Sequence, residues 1–200
     1  MLNVGDAEAF DRFMGLCAGR NGQMLNLSGL ANDCGITHTT ARRWLSVLES
    51  SFIITLLRPY HRNLSKRLIK SPKLYFLDTG LLCYLLRLRS SDDLRVHASR
   101  GAVFEAWVVS EAIKNFVHRG LRPDLFFWRD STGHEIDLLM EAGGGRLLPV
   151  EAKSGRTFHT DAVKELAWWQ GLAEQTHQPS ALVYGGDESF RFRAHTILSW

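Results

Sequence analysis

Cysteine is scarce in this 200-residue chain: three residues, Cys17, Cys34 and Cys83, odd in number and widely spaced. They supply neither a disulfide framework nor a C-x-x-C pair for structural zinc. Proline is also sparse, with five residues, and the chain is 45% apolar and 22% charged. That composition excludes disordered and low-complexity character. Long apolar runs are missing as well. Leu81-Leu82-Cys83-Tyr84-Leu85-Leu86 falls far short of the ~20 residues a membrane helix needs. Acidic Asp6, Glu8 and Asp11 stand where a secretory signal would be basic and then apolar. The eight histidines show no H-x-x-x-H or H-E-x-x-H spacing, which argues against zinc chemistry. No G-x-x-x-x-G-K-[ST] occurs, and Gly143-Gly144-Gly145-Arg146 does not fit it, so the chain carries no ATPase site of its own. Ser154-Gly155 lacks the Ser/His/Asp context of acyl transfer. These absences predict a soluble, reduced, cytoplasmic protein without a membrane segment, long enough for one large domain or two small ones.

What is present is unevenly charged. Residues 1–100 hold fourteen Lys and Arg against eight Asp and Glu, a net of +6; residues 101–200 hold ten against thirteen, a net of −3. The excess gathers at Arg58, Arg62, Lys66, Arg67, Lys70 and Lys73, with no acid between Ser50 and Leu77. Such a cluster attracts polyanions by field strength alone. A solvated loop explains the same run.

The first half reads as helices with one basic hairpin. Phe10, Phe13, Met14 and Cys17 repeat at helical spacing over 6–18, closed by Gly19. A short helix within the segment Asn26 to Gly35, a glycine turn and a second helix starting at a Thr-rich cap in Ile36 to Leu48 form a helix-turn-helix pattern. Leu30, Ala31, Ile36, Ala41, Trp44, Leu45 and Leu48 supply its packing faces, leaving His38, Thr39, Arg42 and Arg43 to point outward. The β-rich run 52–57, the basic stretch and a second strand at 73–78 then make a wing. Residues 20–78 are therefore a candidate winged helix, which serves equally as a DNA reader or as a packing module.

A polar stretch at 87–93 marks a boundary, giving a region 1–88 and a domain 100–200. The second region predicts a helix at 101–117, strands at 125–129, 134–141 and 146–153, a helix from Thr160 or Asp161 to about 173, and a strand at 181–184 ending at Gly185-Gly186. A mixed sheet flanked by helices is the natural packing for this αβββαβ order. Alternation along β-structure puts Glu151 and Lys153 on one face of their strand, and sets Asp137 opposite Ile136, Leu138 and Met140 on the preceding one. A hairpin between these strands can bring Asp137 beside Glu151. On the helix, Glu105 lines up with Val109, Ala112 and Phe116, on a stripe that should be buried. Converging carboxylates call for a hard divalent cation, and a lysine beside them can position water and stabilise charge on a phosphate. E-x-K alone arises often by chance, and Glu105 also suits a helix N-terminus. The conjunction is what carries information. His134 and His159 read as ordinary surface, and Trp168-Trp169 as core with one exposed edge.

Gly101-Ala102-Val103-Phe104-Glu105, Glu135-Ile136-Asp137 and Val150-Glu151-Ala152-Lys153-Ser154 resemble the core of the PD-(D/E)-x-K nuclease superfamily. More closely, nearly the whole chain resembles the C-terminal domain of unknown function of a prokaryotic AAA-type ATPase family. That likeness is carried by Leu25-Asn26-Leu27 with Thr39-Thr40-Ala41, by Pro59-Tyr60-His61-Arg62-Asn63, by the segment Ser71-Pro72-Lys73-Leu74-Tyr75-Phe76-Leu77-Asp78-Thr79-Gly80-Leu81, and by the three nuclease motifs. The resemblance implies an α+β protein: a winged helix followed by a restriction-endonuclease-like domain. It implies that Glu105, Asp137 and Glu151 bind Mg²⁺ or Mn²⁺, and that Lys153 acts with Asp137 and Glu151 in catalysis. DNA would be the partner, met by His38, Thr39, Arg42, Arg43, Arg62, Lys66, Arg67 and Lys70, together with an N-terminal or separate ATPase domain. A fragment of a longer ATPase or a split gene is the expected context. An accessory Gln-x-x-x-Tyr of some such nucleases is incomplete, because Glu174 follows Gln170. A non-catalytic DNA- or protein-binding module of the ATPase is the alternative.

Overall fold

A computed structural model of the chain describes residues 7–60, 70–141, 145–172 and 179–200. It is a mixed α+β structure that packs as two compact units, residues 1–56 with 71–110, and residues 57–70 with 111–200. The division falls inside strand β1 (Ile54–Pro59) and inside helix α6 (Arg100–His118).

The first unit is built from α1 (Ala7–Ala18), α2 (Leu27–Cys34), α3 (His38–Ser50), β2 (Lys73–Phe76), α4 (Thr79–Leu85), α5 (Ser91–Val96) and the start of α6. Local chemistry sets the helix ends. Asn26 caps α2 by accepting from Gly29 N at 2.9 Å, and Gly35 at φ 71° closes it in the left-handed region, where glycine meets no Cβ penalty. Thr37 starts α3 by accepting from Thr40 N at 3.1 Å. Phe10 and Phe13 meet Trp44 edge-on, with centroids 5.4 and 5.6 Å apart, and Leu30 and Leu48 of α2 and α3 are buried. Asn21 is buried and engaged at both ends of its amide: Oδ1 accepts from Phe76 N and Nδ2 donates to Ala102 O, both at 2.9 Å. The β-rich run expected from residue 52 begins two residues later. Phe52 sits at φ 56°, a left-handed turn after α3 that a strand cannot include. The stretch read as a boundary runs into the start of α5, which is fixed by a reciprocal capping box between Ser90 and Asp93.

The second unit carries β3 (Leu125–Arg129), β4 (Glu135–Glu141), β5 (Leu147–Lys153), a 3₁₀ turn (Thr160–Val163) leading into α7 (Lys164–Leu172), β6 (Ser180–Tyr184), β7 (Phe190–Phe192) and β8 (His195–Ser199). Within this unit the strand order is β3-β4-β5-β6-β8-β7, a mixed sheet. β3, β4 and β5 form an antiparallel meander. β5, β6 and β8 run parallel, and β7 returns antiparallel at the edge. A parallel β5–β6 pair needs a crossover, which the 3₁₀ turn and α7 supply. The core joins Trp128, Ile136, Leu139, Leu166, Trp169, Leu182 and Ile197. The sequence pattern stopped at β6; β7 and β8 extend the expected αβββαβ order, and β1 adds a parallel pairing to β3 at Arg58–Phe126 and Pro59–Phe127.

Candidate functional site

The β4–β5 hairpin pairs Leu138 with Val150 and Leu139 with Pro149. Continuing that register by one residue sets Asp137 opposite Glu151. Backbone amides then fix both carboxylates: Ala152 N donates to Asp137 Oδ2 at 3.0 Å, and Asp137 N donates to Glu151 Oε1 at 3.3 Å. Lys153, two residues beyond Glu151 on the same face, donates to Glu151 Oε2 at 2.7 Å and stands 3.7 Å from Asp137 Oδ2. The three residues read from the E-x-K and I-D patterns are thus brought together.

Their burial differs sharply. The Glu151 side chain is 3% exposed and Asp137 15%, whereas Lys153 is 47% exposed. Burial, reinforced by the neighbouring Asp137 charge and opposed by Lys153, pushes the Glu151 carboxyl up to about 8. Such a carboxylate is costly to hold ionised without a stronger cation nearby. Glu135, one alternation back on β4, brings a carboxylate oxygen within 4.8 Å of one from Asp137 and pairs with Arg129 at 3.0 Å. Sequence reasoning passed over Glu135 as a site residue, although its i, i+2 spacing from Asp137 placed it on that face.

Glu105 lies on α6 in the first unit. There Lys73 Nζ donates to its Oε1 at 2.9 Å, and the Tyr75 hydroxyl donates to the same oxygen. Lys73 and Tyr75 alternate on β2 and so share a face; neither was expected to touch Glu105. His38, Thr39, Arg42 and Arg43 are all exposed on α3, and Lys70 is exposed as well. Arg62, Lys66 and Arg67 lie outside the described residues.

Two histidines are more engaged than their sequence context suggests. His134 stacks on Trp168 with centroids 3.9 Å apart and planes 8° from parallel, and its Nδ1 meets Glu165 Oε2 at 2.8 Å. It is not simple surface. Buried His195 meets the Ser180 hydroxyl at 2.6 Å, and Gln170 donates to that hydroxyl at 3.2 Å; burial pushes the His195 imidazole down. His159 is exposed ahead of the 3₁₀ turn, and Trp169 is core.

Residues 100–200, which contain Asp137, Glu151 and Lys153, match the family described as domain of unknown function DUF4143. The chain belongs to the DUF4143 family. Residues 1–92 of this DUF4143 protein match a second domain of unknown function, DUF8612. Similar to it are an uncharacterized protein of Mycobacterium bovis and one of Mycobacterium tuberculosis, each 34% identical over 125 residues, covering 62% of this chain and 27% of the relative. The aligned part is thus about a quarter of each relative's length. No solved structure matches the DUF4143 chain. Among its described residues, no helix is long and apolar enough to cross a membrane.

Proposed function

We propose that this DUF4143 chain is the C-terminal region of an AAA-type ATPase, and that it carries a winged helix and a Mg²⁺- or Mn²⁺-dependent DNA phosphodiesterase site. The observation that carries the reading is the convergence of Asp137, Glu151 and Lys153 on one hairpin face, with Glu151 buried and Lys153 half exposed. The donor set fits a hard divalent cation: carboxylate oxygens, no sulfur, and a buried carboxyl whose anion a metal would stabilise. A bound ion would supply Lewis acidity toward a phosphate and a more acidic water. Asp137 and Glu151 would hold that ion. The Lys153 ammonium would meet the scissile phosphate and stabilise its developing charge. The family resemblance adds Glu105 as a third ligand, and the reading does not depend on it.

The order α6-β3-β4-β5-α7-β6 supports a restriction-endonuclease-like arrangement. The α2-Gly35-α3 turn, with β1 and β2 after it, supports the winged helix. In that reading the start of α3 sets His38, Thr39 and Arg42 near a groove, while Arg42, Arg43, Arg62, Lys66, Arg67 and Lys70 meet phosphates. Incubation with single- and double-stranded DNA in Mg²⁺ or Mn²⁺ tests the catalytic claim. Cleavage by the wild type, lost in Glu151→Ala and Lys153→Ala, is the expected result. Equal cleavage by both folded variants would assign the activity elsewhere, and DNA binding without cleavage would favour the non-catalytic module.

A further inference from the structure

The turn that follows β6 is built against the backbone that follows Lys153. Gly185 N donates at 3.1 Å to both Lys153 O and Gly155 O. A Cβ on Gly185 would stand 2.7 Å from Ser154 O and 3.3 Å from Ser154 C. On Gly186 it would stand 2.6 Å from Arg156 O and 2.1 Å from the Tyr184 ring. Neither glycine has a positive φ, so the need is for close approach of two backbones rather than for an unusual dihedral. At Gly155, on the same exit loop, a Cβ would meet only Thr157 O, at 4.0 Å. Further ties close the turn: the Tyr184 hydroxyl donates to Glu188 O at 2.9 Å, and Arg156 bridges to both oxygens of Asp187 at 3.1 and 2.8 Å. The strand register pairs Lys153 with Tyr184.

We propose that Gly185 and Gly186 are positioning residues that fix the exit of β5 and thereby the direction of the Lys153 ammonium. The catalytic consequence rests on the phosphodiesterase reading; the effect on Lys153 itself does not. Glu151 and Asp137 are fixed upstream by the β4–β5 hairpin, so the device acts on the lysine more than on the carboxylates. Nothing in the DUF4143 match assigns the turn a role.

The experiment uses the full chain labelled with ¹³C at lysine Cε, the Lys153 resonance being assigned by its loss in Lys153→Arg. Gly185→Ala should shift and broaden that resonance, while Gly155→Ala leaves it in place. Mn²⁺ affinity, titrated with the metal alone, should stay within about threefold in both variants, because its carboxylates keep their hairpin. Where the wild type cleaves DNA, Gly185→Ala should lower kcat by about tenfold or more with KM little changed. Should Gly185→Ala lack a cooperative unfolding transition, Tyr184→Phe decides, since it keeps the ring and removes only the tie to Glu188. An unmoved Lys153 resonance in the folded variant would overturn the proposal. Absence of cleavage by the wild type would count against the phosphodiesterase reading alone.

Discussion

Each unit holds a glutamate facing a lysine, and the two pairs are inverted in burial. In the first unit Lys73 is 4% exposed and Glu105 17%. In the second, Glu151 is 3% exposed and Lys153 47%. A buried lysine cannot leave its acid without stranding an ammonium in an apolar place. An exposed lysine can swing into water and yield its position to another cation. Lys73 and Glu105, joined by Tyr75, therefore read as a sealed pair, and Lys153 and Glu151 as an exchangeable one.

The largest effect that could break this contrast is catalytic. Lys153→Ala should reduce metal-dependent DNA cleavage by about a hundredfold or more with the unfolding transition kept. Unimpaired turnover would remove the exchangeable pair from the chemistry. Next comes stability. Lys73→Met should cost roughly 3 kcal/mol in chemical denaturation, because it strands the Glu105 charge. At mildly acidic pH, Lys153→Met should cost under about 1 kcal/mol, because Glu151 can take up a proton and the lysine is well solvated. Equal losses in the two variants would erase the difference between the pairs.

Much of the second unit is written locally. Alternation in Glu135-Ile136-Asp137-Leu138 and Val150-Glu151-Ala152-Lys153 placed the hairpin faces, and Gly145, the last of three glycines ahead of β5, adopts φ 75°. Gly35 and Thr37 likewise marked the α2–α3 junction. Non-local pairing was not legible. Nothing in Arg58 or Pro59 specifies a parallel partner at Phe126 and Phe127, and a three-residue edge strand such as β7 has too few positions to show a period. The contacts of Lys73 and Tyr75 with Glu105, about thirty residues away in sequence, belong to the same class. So does His134 against Trp168: the ring stack depends on how α7 lies against the turn that precedes β4, which composition does not encode.

A subtler consequence concerns pH. The Glu151 carboxyl is raised from 4.5 to about 8 in the folded protein, chiefly by burial. Between those values the folded state keeps a proton that the unfolded state has released, so stability falls as pH rises through that window. Urea melts of the metal-free protein should show this decline, and Glu151→Gln should flatten it. Mn²⁺ should offset the decline at the alkaline end by binding the ionised form. A slope identical in wild type and Glu151→Gln would mean that Glu151 titrates normally.

The smallest expected change lies on α3. If Arg42 and Arg43 meet phosphates, each contact contributes about −0.9 to the log–log slope of DNA affinity against salt. Replacing either with Ala should make the slope shallower by that amount, equally for unrelated sequences. Unchanged slopes would make this helix a protein-packing surface instead.

Calorimetric titration of Mn²⁺ into the wild type and Glu151→Gln near neutral pH tests the exchangeable pair most directly. A saturable site in the wild type and an affinity about tenfold weaker or worse in Glu151→Gln are the expected results. Equal Mn²⁺ affinity in a folded Glu151→Gln protein would contradict an exchangeable pair.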